Sequence, residues 1–184
     1  MKTPTLISPR LVLEPVALEH ARSLQPYFAD YEVIRHLAAG VPWPYPDDGV
    51  ETFFREVLLP DIQVGKAMAW ALIPKDHGSA VGLLEWRCGG EAEDDRGFWL
   101  ARPWWGRGLM TEAVTAFQDW VFFERGLDRL EVRNAVANVG SRRVKLKTGA
   151  QPLGRTACAH HEGDEAELWE VTRERWAALR GVTL

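Results

Sequence analysis

The segment FWLARPWWGRGLMTEAV, residues 98–114, constrains the fold more than any other part of the chain. An apolar, strand-like run leads through a proline and two tryptophans into the turn Gly106-Arg107-Gly108, and then into a segment with helical spacing. The first N–H groups of a helix have no partner within it, and the helix dipole adds positive charge there. Because glycines leave the backbone open to a ligand, the segment predicts a loop that holds phosphate groups. Taken alone, the motif is more typical of a tight strand-to-helix turn than of a phosphate site.

Composition limits the classes of protein to which the chain can belong. Its 184 residues suit one domain, residues 1–184, and 46% hydrophobic with 26% charged residues is typical of a soluble globular protein. A formal net charge of -4 argues against a broad nucleic-acid surface. Two cysteines do not form a disulfide framework, and neither a membrane-spanning run nor a signal-peptide pattern is evident, so we expect a cytoplasmic protein.

Spacing of apolar residues predicts the order of the secondary structure. Antiparallel strands come first and a strand–helix–strand arrangement follows, which indicates an α/β (α+β) fold with a mixed, mostly antiparallel sheet flanked by helices. The predicted strands cover residues 10–15, 67–73, 80–86, 96–101, 129–137 and the beginning of 166–179. The predicted helices cover residues 16–30, 31–37, a segment after the proline-rich loop 40–49, the segment after the glycine turn, 138–149 and the end of the chain.

Five segments of the chain are distinctive: SPRLVLEP, PWPYPDDG, GFWLARP with WGRG and TEAV, VANVGSRRVKLKTGAQPLG, and ELWEVTRERW. In this order, they resemble segments of the GNAT acetyltransferases. Similarity is greatest to the branch that includes the ribosomal-protein N-terminal (alanine/serine) acetyltransferases. The resemblance covers nearly the whole chain and implies a single GNAT domain that uses acetyl-CoA.

The resemblance also implies which residues bind the co-substrate. The strand through Leu100 would pair its backbone with the pantetheine arm, and an N–H near Leu100 would polarise the thioester carbonyl. Backbone N–H groups of the glycine loop would hold the pyrophosphate, with Met110 standing where the family favours Gly or Ala. The implied cofactor-binding residues are Phe98, Trp99, Leu100, Trp105, Gly106, Arg107, Gly108, Leu109, Met110, Thr111, Asn138, Ser141 and Arg143.

Two residues of the motif Asn-x-x-Ser have competing interpretations. Asn138 would orient pantetheine or a neighbouring loop, or would simply be a helix N-cap. Ser141 would lie near the thioester sulfur. The tyrosine that many relatives use as an acid is absent, because Lys145 stands at the matching position, and Ser141 therefore becomes the expected proton donor. Of Arg142 and Arg143, we expect one to reach CoA phosphates and the other to be solvated.

The base and the acceptor side are less constrained by the sequence. Glu85, beside Trp86 on a strand, and Asp95, before the next strand, are the candidate bases. Trp43 and Tyr45, in the proline-rich loop, would bind the acceptor together with Glu85 or would anchor the loop. His160, His161 and Glu162 are adjacent in sequence, and neighbouring strand residues point to opposite faces, so we expect no metal site.

The leading hypothesis is direct transfer of an acetyl group to a primary amine. The acceptor could be a protein N-terminus or a small amine, with no nucleic-acid or membrane partner and with a homodimer as a possible assembly. The alternative is a sensor or structural subunit that binds acyl-CoA without turnover. A nucleotide-binding module is a weaker alternative, because the loop lacks the Gly-Lys-Ser/Thr ending of a P-loop.

Overall fold

The computed structural model describes residues 2–88 and 96–184 of the chain. In these residues the elements follow the predicted order. The strands are β1 Leu6–Ile7, β2 Leu11–Pro15, β3 Ala67–Pro74, β4 Gly82–Arg87, β5 Arg96–Leu100, β6 Arg129–Ala135, β7 Gln151–His160 and β8 Gly163–Thr172. The α-helices are α1 Ala21–Phe28, α2 Tyr31–Ile34, α3 Gly49–Phe53, α4 Leu59–Gln63, α5 Leu109–Asp119, α6 Val139–Lys147 and α7 Arg173–Arg180. The α+β fold class with mostly antiparallel sheets is confirmed.

The first sheet contains β1 to β5 in sequence order, and each strand pairs antiparallel with the next. Side chains alternate across it, so the sheet separates two apolar clusters. Trp70 and Trp86 pack on one face with α5, while Ala71 and Leu83 pack on the other with helices of the N-terminal half. The predicted hairpin of β3 and β4 and the third strand after it are thereby confirmed.

The second sheet has the order β6-β8-β7, and all its pairs are antiparallel. The sequence analysis assigned no strand to the residues of β7, Gln151–His160. Most of β7 is exposed, and its pairing with β8 shifts register between Pro152 and Gly154 and again between Ala157 and His160. An exposed edge strand with such irregularities shows no alternating apolar pattern, so its sequence carries no strand signal.

Helix α5 is the amphipathic helix that the sequence predicted. Its buried face includes Ala113 and Phe117, and a π-helical continuation, Trp120–Glu124, extends the same face. The ring of Trp70 packs edge-on against Phe117 and Trp120, with ring centroids 5.6 and 5.5 Å apart. The apolar face therefore fixes the direction in which the helix start points. Among the residues that the structure describes, no helix is long and apolar enough to cross a membrane.

The two sheets meet at β5 and β6, which belong to different hydrogen-bonded ladders. The N–H of Ala101 donates to the carbonyl of Val81 at 2.8 Å, on the β4 side. Because hydrogen-bonding groups alternate along an antiparallel strand, the backbone groups of Leu100 and Phe98 point away from β4 and towards the second sheet. The fold thus leaves an open strand edge between the sheets, beside the start of α5.

Candidate functional site

A cavity of about 610 Å³ opens along β5, the glycine loop and the start of α6, with α2 at one side. This volume lies within the usual range for small-molecule sites. The cavity brings together twelve of the residues that the sequence nominated for the cofactor. They are Phe98, Trp99, Leu100, Trp105, Gly106, Gly108, Leu109, Met110, Thr111, Asn138, Ser141 and Arg143.

The glycine loop presents bare backbone to the cavity. Gly106 and Gly108 have φ values of 73° and 78°, a region that residues with a Cβ rarely adopt. Gly108 is the N-cap of α5 and provides no side-chain cap. The first intrahelical bond at this end runs from the N–H of Glu112 to the carbonyl of Gly108 at 3.0 Å, so the N–H groups of Leu109 to Thr111 lack helical acceptors. These groups suit an anion such as a phosphate.

A brace from the first sheet holds this loop in place. The carboxylate of Glu112 accepts hydrogen bonds of 2.7 Å from Ser8 Oγ, from the backbone N–H of Arg10 and from Arg10 Nε. Arg10 Nη1 also donates to the carbonyl of Arg107 at 2.9 Å. Burial raises the pKa of Glu112, but the hydrogen bonds from Arg10 and Ser8 outweigh it and hold the net pKa below the ordinary value. Sequence reasoning matched SPRL to a strand and missed this contact.

Trp105 and Arg107 were both nominated for the cofactor, and of the two, Trp105 lines the cavity. Trp105 is 44% exposed and does not pack its ring into the core. Its Nε1 instead donates a 2.6 Å hydrogen bond to the carbonyl of Leu100 and so ties the loop to β5. The guanidinium of Arg107 lies 4.9 Å from the ring centroid of Trp104 and lines a separate hollow with Arg10. The side chain of Arg107 is therefore not brought to the main cavity.

Met110 does not crowd the loop. The residue lines the cavity but is 7% exposed and packs in the core cluster beneath α5. Its backbone N–H remains at the helix start, where a glycine or alanine would place the same group. The departure from the family pattern thus leaves the anion site intact.

Helix α6 supplies the opposite wall of the cavity. Asn138 is its N-cap, and Asn138 Oδ1 accepts from the N–H of Ser141 at 2.9 Å, as the capping interpretation expected. Ser141 Oγ accepts from Lys145 Nζ at 2.9 Å, and the same Nζ donates to the carbonyl of Arg133 at 2.8 Å. Lys145 is 1% exposed, although the sequence placed it among the basic residues near a helix end. Sequence reasoning missed this buried pair.

The two adjacent arginines of α6 have different environments. Arg142 forms an ion pair with Glu167 and also donates to the carbonyl of Val136 at 3.1 Å. Burial raises the pKa of Glu167, but hydrogen bonds from Arg142 and Asn134 outweigh it and keep the net pKa below its ordinary value. Arg143 lines the cavity. Arg143 is therefore the arginine available to a ligand, whereas Arg142 ties α6 to β8.

The aromatic residues of the proline-rich loop lie outside the cavity lining. Tyr45 packs against Phe28 with ring centroids 4.7 Å apart, and burial followed by the charge of Asp48 raises the pKa of Tyr45 to about 12. The ring of Trp43 lies 5.0 Å from that of Tyr31. These contacts favour the loop-anchor interpretation over direct acceptor contact.

Helix α2 and the residues after it contribute side chains that the sequence did not nominate. Glu32, Arg35 and His36 all line the cavity. Burial, and then the neighbouring charge of Arg35, lowers the pKa of His36. The helix is only four residues long and lacks a distinctive motif, so no sequence signal could have identified it.

The candidate base Glu85 is not brought into the cavity lining. Glu85 Oε1 pairs with Arg87 Nε at 3.2 Å on β4. The register places Glu85 opposite Gly97, on the face that also carries Trp99. Asp95 lies outside the described residues. The base assignment therefore stays a prediction. Within residues 2–88 and 96–184, no three His, Cys, Asp or Glu side chains are grouped to hold a metal ion.

The fold and the site together define a class of protein in which a helix start and an open strand edge meet at one cavity beside two antiparallel sheets. Residues 10–151 match the family described as "Acetyltransferase (GNAT) domain". The chain belongs to the GNAT family, and it is an N-acetyltransferase that uses acetyl-CoA.

Individual relatives support this assignment. The chain is 28% identical over 148 residues to the uncharacterized N-acetyltransferase p20 of Bacillus licheniformis. The aligned region covers 77% of this chain and 78% of the relative. Mycobacterium smegmatis RimJ, solved in complex with a CoA-disulfide, is 18% identical with a TM-score of 0.76, covering 97% of this chain and 93% of RimJ. The ribosomal-protein-S5-alanine acetyltransferase of Vibrio fischeri is 15% identical with a TM-score of 0.76, covering 94% and 98% of the two chains. At these identities the two structures show a shared fold alone.

Proposed function

We propose that the cavity holds acetyl-CoA and that the acetyl group passes directly to a primary amine in a ternary complex. The observation that carries the proposal is the convergence of three features on one cavity: bare helix-start N–H groups, the open edge of β5, and the hydroxyl of Ser141. Each feature matches a different part of a long, anionic thioester. No other arrangement in the described residues joins all three.

Residues of the cavity would contact successive parts of acetyl-CoA, from the pyrophosphate to the pantetheine arm. The N–H groups at the start of α5 would bind the pyrophosphate, since the positive-φ glycines leave open space where a Cβ would stand at Gly106. Arg143 would add positive charge on the opposite wall. The outward-facing N–H and carbonyl of Phe98 would pair with amides of the pantetheine arm as an added strand would, whereas the carbonyl of Leu100 already accepts from Trp105. Bound acetyl-CoA supplies the activated acyl group.

Different residues of the site would carry out the separate steps of acyl transfer. The N–H of Leu100 is placed to stabilise the negative charge that develops on the acetyl oxygen as the amine attacks. Ser141 donates a proton to the departing sulfur. The attacking nitrogen must lose a proton, and Glu85 and Asp95 are the candidates to receive it, through water in the case of Glu85 because that side chain is not part of the cavity lining.

The acceptor is a cationic amine in its resting state. Glu32 lines the α2 side of the cavity but pairs with Arg35 at 3.5 Å, so the net charge of -4 is the feature that suits a positively charged acceptor. Structural neighbours include acetyltransferases that act on ribosomal proteins. A peptide N-terminus is therefore the first acceptor class to test, and small-molecule amines are the second.

One sample can test the proposal in two steps. Acetyl-CoA binding is measured by calorimetry, and free-thiol release is then followed against a panel of N-terminal peptides and small amines. Binding with amine-dependent thiol release is the expected result. Binding without release to any amine would favour the sensor alternative, and an absence of binding would overturn the phosphate-loop assignment.

A further inference from the structure

The buried face of helix α6 carries polar side chains, whereas apolar side chains lie on its exposed face. Ser141, Lys145 and Thr148 are buried, while Val139 and Leu146 are 46% and 56% exposed. Ser141 and Lys145 are four residues apart and so lie one above the other on the helix. A fully buried lysine is rare, because its ammonium loses water and must gain strong partners. The arrangement therefore requires an explanation other than core packing.

Lys145 lies between the two sheets, behind the cavity wall. Its Nζ donates to the carbonyl of Arg133 on β6 at 2.8 Å and to Ser141 Oγ at 2.9 Å. The same nitrogen lies 5.6 Å from the ring centroid of Phe98 on β5. Ser141 and Phe98 line the cavity, whereas Lys145 does not. Lys145 therefore acts on a bound ligand through these two residues, and Ser141 is the one that it contacts by a hydrogen bond.

The direction of the hydrogen bond determines what Ser141 can do. A lysine ammonium has three donors and no acceptor, so it can only donate to Ser141 Oγ. The hydroxyl hydrogen of Ser141 is not used in that bond and can point into the cavity. The capping bond from Asn138 Oδ1 to the N–H of Ser141 holds the backbone of the same residue. Ser141 is thus held as a hydrogen donor that faces the cavity.

We propose that Lys145 is a positioning residue that directs the Ser141 hydroxyl at the leaving sulfur and restores its proton. This inference rests on the proposed acetyl transfer. As the C–N bond forms and the C–S bond breaks, the electron pair of the C–S bond goes to sulfur. The sulfur takes the hydrogen of Ser141 Oγ–H, and the Lys145 ammonium gives one proton to Ser141 Oγ. The proton that the amine gives to water then returns to neutral Lys145 through Ser141 Oγ, because Lys145 is buried and does not line the cavity.

Steady-state kinetics with an amine that the enzyme acetylates test this proton relay from Lys145 through Ser141 to the sulfur. Lys145→Met and Lys145→Gln should each lower kcat about a hundredfold, the scale of general acid catalysis, while the KM for acetyl-CoA changes less than about threefold. Lys66→Met, on an exposed turn, is the control and should leave kcat unchanged. Adding Lys145→Met to Ser141→Ala should lower kcat no further, because both act on one proton path. Wild-type kcat in a folded Lys145→Met protein, or multiplying effects in the double variant, would overturn the proposal.

A spectroscopic measurement needs no acceptor and separates this proposal from the proposed function. CoA with a free thiol is bound to excess wild-type protein near pH 8, just below the usual thiol pKa of about 8.5. After subtraction of the protein spectrum, the ultraviolet thiolate absorbance should exceed that of unbound CoA, and Lys145→Met should abolish the excess. Equal absorbance for bound and unbound CoA with the wild-type protein would refute the relay, even where neither lysine variant folds. Absence of thiol release with every amine would instead refute the proposed function.

Discussion

Arg10 Nε lies 2.7 Å from Glu112 Oε2, although 102 residues separate the two in sequence. The pair joins the segment before β2 to the first turn of α5, and Arg10 Nη1 also reaches the carbonyl of Arg107 in the glycine loop. The side chain of Arg10 is 53% exposed, so the ion pair itself adds little stability. Its effect is geometric, because it fixes the loop whose backbone faces the cavity.

Arg10→Met should therefore weaken acetyl-CoA binding about tenfold with little loss of fold stability. The reason is that a loop free to move must be ordered when the ligand binds, and that ordering costs affinity. Calorimetry measures the affinity, and Arg22→Met, on the exposed side of α1, serves as the control. Equal affinities for the two variants would show that the brace does not order the loop.

Glu112→Gln should produce a pH-dependent loss of stability. Because the folded-state pKa of Glu112 is lowered, its ionised form stabilises the fold above the ordinary value of 4.5, and this contribution is lost as the pH falls through the lowered pKa. At pH 7 the variant should lose about 1–3 kcal/mol of unfolding free energy, the scale of hydrogen bonds to a charged group. Urea unfolding at a series of pH values measures the unfolding free energy of both proteins. The difference in unfolding free energy between wild type and variant should become smaller below pH 4.5. A difference that stayed constant with pH would contradict the assignment.

Gly108→Val should abolish measurable acetyl-CoA binding, a loss of more than about a hundredfold. A Cβ at a φ of 78° forces the N-cap to change conformation and removes N–H groups from the anion site. Gly65 is a matched control, since its φ is 77°, a Cβ there meets no atom within 4 Å, and it lies in the turn before β3. Gly65→Val should lower the melting temperature about as much as Gly108→Val does, but it should leave the affinity for acetyl-CoA unchanged. Comparable affinity losses in both variants would mean that strain, not the phosphate site, governs binding.

The glycine loop could be predicted from sequence because its determinants are local. Backbone conformation at Gly106 and Gly108, and the start of a helix after them, follow from a few adjacent residues. Strand β7 could not be predicted, since its pairing with β8 decides its conformation and its own residues are mostly exposed. Propensity is a weak guide wherever long-range pairing dominates.

Lys145 shows a different limit of sequence reasoning. A lysine near a helix end normally interacts with solvent and the helix dipole. Its burial depends on the carbonyl of Arg133 and on the gap between the sheets, neither of which is encoded near it. The spacing of Ser141, Lys145 and Thr148 was the one available signal, since it places three polar residues along one side of α6.

Arg142 and Arg143 should respond to substitution in opposite ways. Arg142→Met leaves the carboxylate of Glu167 without its ion pair, so the unfolding free energy should fall while acetyl-CoA affinity is unchanged. Arg143→Met removes a positive charge from the cavity wall, so affinity should fall about tenfold with unchanged stability. The affinity of Arg143→Met should also depend less on salt than that of the wild type, because one charge–phosphate attraction is gone. Calorimetry at two salt concentrations and urea unfolding measure both quantities for both variants. If Arg142→Met weakened binding as much as Arg143→Met, the division of these arginines between fold and ligand would be wrong.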